Sequence, residues 1–229
     1  MTPGALHRAV AGVTHVLLDF DGPVCDVFAG QPAEDVASEL LSLYERKSGA
    51  PFPLAAPTIA DPLEIVRLAG READPHAGAL ADALARAELR AVETAALTPG
   101  VLETLGACRA TGRAVCIVSN NSAGAVREFL RVHGIEAAVS GVVGRPDDVA
   151  LMKPDPYPLL RALDAMGTDP VVAVMIGDSI SDVQAAHRAG TRSVGFANRP
   201  PKSDLLESAG ASAVISSMRE LAAAMVTAS

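Results

Sequence analysis

Two carboxylates one residue apart, Asp19 and Asp21, end the apolar run His15-Val16-Leu17-Leu18 and are followed at once by Gly22. Alone, an Asp-Gly pair at a strand end also suits a turn or a helix cap. Three later segments change its weight. Ser119-Asn120-Asn121 follows a second short apolar stretch, Lys153-Pro154-Asp155 lies in a loop, and Gly177-Asp178-Ser179-Ile180-Ser181-Asp182 follows a third stretch. Together they supply the parts of phosphoryl transfer: donors for the phosphate oxygens, charge neutralisation and an in-line nucleophile.

Carboxylates can attack phosphorus, and they are also natural ligands for Mg²⁺. Asp19 and Asp178, on neighbouring strands, are suited to hold one Mg²⁺, with Asp182 one helical turn on to orient its waters or the lysine. Ser119 and the amides after it, including that of Asn120, can grip phosphate oxygens, and Lys153 adds a fixed positive charge. Asp21 lies two residues beyond Asp19 on an extended chain and so on the same side, placed to serve as general acid and base.

The elements that must carry these residues are readable from the hydrophobic pattern. Short, apolar, β-branched segments at 15–18, 114–118, 138–143, 171–176 and 193–196, with a weaker one at 213–215, predict strands. Helical patterns at 100–111, 124–133, 157–166, 182–189 and 202–209 alternate with them. Strands apolar throughout and alternating with helices predict a mainly parallel sheet covered on both faces, a Rossmann-like three-layer α/β core. The gap from 26 to 97 is too long for one crossover. Its helical patterns at 33–47, 61–69 and 76–96 predict an inserted α-helical cap over the C-terminal edge of the sheet, leaving 1–25 and 98–229 as the core. Pro51-Phe52-Pro53-Leu54-Ala55-Ala56-Pro57 reads as a stiff loop within the insertion.

Composition narrows the partners. The chain has 229 residues and a formal charge of −8, and 12 acidic against 6 basic residues fall in 26–97, so no basic footprint for nucleic acid is present. No apolar run approaches the ~20 residues of a membrane span, and no secretion signal is readable. Three cysteines in no metal or disulfide spacing suit a reducing cytoplasm. Cys25 reads as packing despite its nearness to the carboxylates. His76, His133 and His187 share no spacing and read as surface or satisfied core residues; Arg67, Arg71, His76, Arg86 and Arg90 are candidates to contact the non-phosphate part of a substrate, while the i, i+4 pairs Arg67/Arg71 and Arg86/Arg90 fit exposed helical stripes.

The ordered set Asp19-Phe20-Asp21-Gly22, Ser119, Lys153-Pro154 and Gly177-Asp178-Ser179-x-x-Asp182 resembles all four motifs of the haloacid dehalogenase superfamily. The nearest branch is the phosphatases with a helical (C1-type) cap, the phosphoglycolate phosphatase and β-phosphoglucomutase-like members. The resemblance spans residues 13 to 216. It implies Asp19 as the nucleophile and Asp21 as the acid/base that also gives its backbone carbonyl to the metal. Ser119 and Lys153 become the phosphate grip, Asp178 a further metal ligand and Asp182 a supporting partner behind it. It implies a Mg²⁺-dependent phosphatase that forms an aspartyl-phosphate on a small phosphorylated metabolite, with no nucleic-acid or membrane partner and no oligomeric state specified. Relatives that displace halide lack the second Asp, so Asp21 argues for phosphate chemistry. The same motifs would serve a sugar-phosphate mutase, or a binding or regulatory homologue without turnover. The chain departs from the pattern at Pro23, where the family carries Thr and where its hinge to the cap begins.

Overall fold

The computed structural model describes residues 4–53 and 60–228. Six strands form one parallel sheet: β1 (His15–Leu18), β2 (Ala114–Val118), β3 (Gly141–Val143), β4 (Ala173–Gly177), β5 (Arg192–Phe196) and β6 (Ala213–Ile215). Their spatial order is β3-β2-β1-β4-β5-β6, the doubly wound arrangement in which the chain reverses direction across the sheet between β1 and β4. All pairings are parallel. Open sheets of this kind bind ligands beyond their C-terminal edge at that reversal.

Side-chain alternation along β1 splits the core into two layers. Val16 and Leu18 face a cluster with Ile117, Val174, Phe129, Met218 and Leu221. That layer is covered by α5 (Val101–Ala110), α6 (Ala123–Val132) and α10 (Met218–Thr227), with α1 (Gly4–Val10) at its margin. Leu17 faces the opposite layer with Cys116, Met175, Leu159 and Ala186, under α7 (Tyr157–Ala165) and α8 (Ile180–Ala189). The small α9 (Lys202–Ser208) closes that face over β5 and β6, burying Leu206 against Val183 and Val214.

The stretch after β1 is helical, as its composition predicts: α2 (Ala33–Ser48), α3 (Pro62–Arg71) and α4 (Ala77–Val92). These three bury a cluster of their own, built on Val36, Leu40, Ile65, Val66, Leu80 and Leu84. Their ends follow helix electrostatics and capping. Acidic Glu34 and Asp35 open α2, Arg46 and Lys47 close it, and Asp61 caps α3 by accepting from the Leu63 N–H. The stiff loop expected at 51–57 falls partly outside the described residues.

Two strands start later than the apolar pattern predicts. Residues 136–138 and 170–172 form short 3₁₀ turns ahead of β3 and β4. In the second, the Asp169 carboxylate accepts from the Val171 N–H and Pro170 fixes the first helical φ, so a local cap overrides β propensity. Helices α1 and α10 add to the predicted set. α10 buries Met218, Leu221, Ala222 and Met225, a helical spacing present in the sequence.

Candidate active site

Parallel register delivers the expected residues to one place. Leu18 stands opposite Ile117 of β2 and Ile176 of β4, so Asp19, Ser119 and Asp178 leave adjacent strand ends side by side. The Asp19 N–H continues the ladder to the Ile176 carbonyl at 2.8 Å, and the Ser119 N–H to that of Val143 at 2.9 Å.

Lys153 arrives from the loop before α7 and is 2% exposed. Its ammonium donates to the Val118 carbonyl at 2.9 Å and lies 2.9 Å from Asp19 Oδ1 and 2.6 Å from Asp182 Oδ1. The Asp182 contact is a charge pair off hydrogen-bond alignment. Burial disfavours the ammonium, but Asp182 and Asp19 outweigh it and hold Lys153 above its ordinary pKa. Asp182 is fixed independently by a capping box at the start of α8: its Oδ2 accepts from the Ser179 N–H and hydroxyl, and the Ser179 hydroxyl caps the Asp182 N–H. Gly177 makes room for this, since a Cβ there would lie 2.3 Å from Asp182 Cγ.

Asp19, Asp178 and Asp182 each bring a carboxylate oxygen within 4.8 Å of the others. Burial, then Asp182, raises Asp19 well above the ordinary carboxylate range against the pull of Lys153. Burial also raises Asp178, opposed by the ammonium of Lys202, which is paired with its Oδ2. Asp19, Asp178 and Asp182 face two ammonium groups, those of Lys153 and Lys202, so the largely buried cluster keeps an excess of one negative charge, which burial makes costly. An all-oxygen donor set with that excess suits a hard divalent cation.

Asp21 stands apart from that cluster. Its Oδ1 accepts from the Val27 N–H at 3.0 Å, and burial pushes its pKa up to about 6 despite that bond. It therefore holds a proton closer to neutrality than an ordinary Asp, as a proton carrier needs. Gly22 follows with φ +96°, and a Cβ there would sit 2.5 Å from Asp178 Cγ, so the turn passes Asp178 at backbone distance. Pro23 fits this turn. The Val24 and Cys25 N–H groups both donate to the Phe20 carbonyl, and the Thr98 hydroxyl donates to the Gly22 carbonyl at 2.6 Å. A hydroxyl thus supports the turn from Thr98, on the returning strand of chain. Cys25 is fully buried, and burial pushes its thiol well above the ordinary range, so it packs.

Ser119 is 1% exposed, and its hydroxyl donates to Asn121 Oδ1 at 3.0 Å while accepting from the Asn121 N–H. Asn120 uses both ends of its side-chain amide on the Lys153 peptide, accepting from its N–H at 3.0 Å and donating to its carbonyl at 3.1 Å. That side chain pins the lysine segment to the serine loop. The cap of α6 is Ser122, which accepts from the Ala125 N–H.

A cavity of about 590 Å³ opens above these groups, between the sheet edge and the helical insertion. Asp19, Asp21, Ser119, Lys153 and Asp178 line its floor, and Phe28, Leu84, Arg67 and Glu88 come from the insertion side. Arg67 departs from the exposed stripe its spacing predicts: it pairs with Glu64 and donates to the Lys153 carbonyl at 3.3 Å. Glu88, Arg145 and Lys202 carry no motif. The available signal for Glu88 is its place in Leu80, Leu84, Glu88, Val92, an acid on an otherwise apolar i, i+4 row. Arg145 and Lys202 give no such signal.

The haloacid dehalogenase-like hydrolase family matches residues 62–196. Phosphoglycolate phosphatase of Rhodospirillum rubrum is 37% identical over 110 residues, 46% of this chain and 45% of that one. Phosphoglycolate phosphatase of Escherichia coli K12 is 41% identical over 100 residues, 44% of this chain and 39% of that one. The match thus spans less than half the length of these curated relatives. Among solved structures, a hydrolase from Pseudomonas syringae superposes with TM-score 0.70 at 24% identity, covering 91% of this chain and 95% of that one. CbbY from Rhodobacter sphaeroides, in complex with phosphate, gives TM-score 0.69 at 20% identity over 91% and 96%. With most of the chain matched by the family and its fold shared across that group, this protein belongs to the haloacid dehalogenase-like hydrolases.

Proposed function

We propose that this chain is a Mg²⁺-dependent phosphatase that cleaves a small cytoplasmic phosphomonoester through an aspartyl-phosphate on Asp19. Residues 26–97 act as a cap over a catalytic core made of 1–25 and 98–229. The observation that carries this reading is the meeting of Asp19, Lys153 and Ser119 at the floor of one cavity beside Asp178. Asp19 Oδ1 is held by the Phe20 N–H at 2.7 Å and by Lys153, which fixes the carboxylate plane and leaves Oδ2 to attack. Ser119 and Lys153 bind the phosphate oxygens and counter their charge. Asp21 gives its proton to the departing alcohol, then takes one from the water that hydrolyses the acyl phosphate. Asp19 and Asp178, with the Asp21 carbonyl, would hold Mg²⁺, which supplies charge neutralisation to the phosphoryl group. Three free, buried cysteines fit a reducing compartment, and among the described residues no helix is long and apolar enough to cross a membrane.

A phosphate-release screen tests the reading. The panel takes 2-phosphoglycolate first, because the curated relatives are phosphoglycolate phosphatases, then sugar phosphates, other phosphorylated acids and nucleoside monophosphates. Release that requires Mg²⁺ and stops with EDTA is the expected result; no release from any member overturns it. The role of Asp21 has its own signature. Asp21→Asn is expected to slow alkyl phosphate cleavage by ~10²–10⁴-fold, the usual worth of a positioned acid. para-Nitrophenyl phosphate, whose leaving group departs without a proton, will lose much less in the phosphorylation step, measurable as a burst. Equal losses on both would assign Asp21 another task.

A further inference from the structure

We infer that Glu88 and Arg145 form a positioning pair through which the helical insertion sets the phosphate-gripping loop, residues 119–122. The inference rests on the phosphatase reading above and deepens it. Glu88 projects from α4 among Leu80 and Leu84 and is 1% exposed; Arg145, from the loop after β3, is nearly as buried. Their bond is two-pronged, with Nη1 to Oε1 at 2.8 Å and Nη2 to Oε2 at 3.2 Å. Gly144 permits it, because a Cβ there would strike the Ala123 backbone nitrogen at 2.4 Å, so this loop runs against the start of α6.

Each residue of the loop is tied to this pair. Glu88 Oε2 accepts from the Ser122 N–H at 2.9 Å, and Oε1 from Asn121 Nδ2 at 3.3 Å. Arg145 donates to the Asn120 carbonyl from Nη1 at 3.2 Å and, from its backbone N–H, to the Asn121 carbonyl at 2.7 Å. Ser119 is reached at one remove. A carboxylate can only accept, so Glu88 forces the Asn121 amide to present Nδ2 toward the insertion and Oδ1 toward Ser119. With the amide reversed, a donor would face Ser119 and its hydroxyl would lose its acceptor. Arg67 adds a parallel tie from α3 to the Lys153 carbonyl. The insertion therefore touches both segments that would bind phosphate.

Stability alone does not account for the pair, since apolar residues of similar volume often replace a buried ion pair without loss. That property supplies the test. Two variants, Glu88→Gln and the double Glu88→Met/Arg145→Met, are compared with wild type for KM, kcat, inhibition by inorganic phosphate, and Tm. The double variant buries no unpaired charge but leaves the Ser122 N–H, Asn121 Nδ2 and the Asn120 carbonyl without these partners, so its Tm is expected to fall, though less than that of Glu88→Gln, which strands the Arg145 charge. In both variants the KM and the inhibition constant for phosphate are expected to rise at least about tenfold, a loss of 1.4 kcal/mol, with a smaller fall in kcat. A double variant with wild-type KM and phosphate inhibition overturns the positioning role while leaving the phosphatase reading intact. A wild-type protein that neither releases phosphate from the panel nor binds inorganic phosphate removes the reading itself, and this inference with it.

Discussion

Replacing Asp19 with asparagine is expected to lower phosphate release by more than about 10⁴-fold, the scale on which loss of a covalent nucleophile registers, without lowering Tm. The first half follows from chemistry: an amide oxygen in this position forms no acyl phosphate that water can cleave. The second half follows from electrostatics. Burial and Asp182 raise the Asp19 pKa, so the folded protein carries a cost for ionising it that the unfolded chain does not. An isosteric neutral group removes that cost. Lys153 keeps Asp182 at 2.6 Å, so its ammonium is not stranded. Steady-state phosphate release and calorimetry at neutral pH check both halves. Residual activity within a hundredfold of wild type would transfer the nucleophilic role elsewhere. A Tm drop of several degrees would mean that the Asp19–Lys153 attraction exceeds the repulsion among the carboxylates.

The site was legible wherever its chemistry coincides with a strand end. Asp19, Ser119 and Asp178 each follow an apolar run, and parallel register then brings them together without further information. Lys153 was legible only through its motif, because nothing in a loop lysine's local sequence says that it is buried against Asp19 and Asp182. Asn120 was legible in part. The sequence points to its backbone N–H as a phosphate donor, whereas the task the structure gives its side chain, holding both groups of the Lys153 peptide, has no local signal. Arg67 differs for another reason: an i, i+4 pair of arginines reads as one exposed stripe of α3, and only tertiary packing decides that Arg67 lines the cavity while Arg71 stays exposed. The strand limits at β3 and β4 were blurred by single 3₁₀ turns, the second held by the Asp169 carboxylate, whose bond to the Val171 N–H competes with β propensity over two or three residues. Pro23 reads as a loss in sequence because it deletes a hydroxyl and an N–H. In the fold the turn closes through Val24 and Cys25, and Thr98 brings a hydroxyl from a distant segment.

Lys153→Met is expected to be the most destabilising single change at the site, costing about 3–5 kcal/mol, the usual effect of removing one partner from a buried charge network. Against a typical total of roughly 5–15 kcal/mol this is a large fraction, so the variant will fold weakly. Methionine fills most of the lysine volume, which makes cavity formation a minor part of the loss. The larger part is repulsion among Asp19, Asp178 and Asp182, which stand within 4.8 Å with their buried cation gone. That origin fixes the sign of the pH dependence. The raised folded-state pKa values of Asp19 and Asp178 mean that the folded protein binds more protons than the unfolded chain, so stability grows as pH falls and is lost as pH rises through those values. Urea melts across mildly acidic to neutral pH will therefore show the gap between variant and wild type narrowing toward acid. A second change separates charge from shape. Lys153→Met/Asp182→Asn removes one charge of each sign and is expected to recover much of the lost stability, while phosphate release stays at least about a hundredfold below wild type because the phosphate oxygens still lack their ammonium. A pH-independent gap that Asp182→Asn leaves unchanged would assign the loss to packing, and the cluster would then owe its stability to something other than charge balance around Lys153.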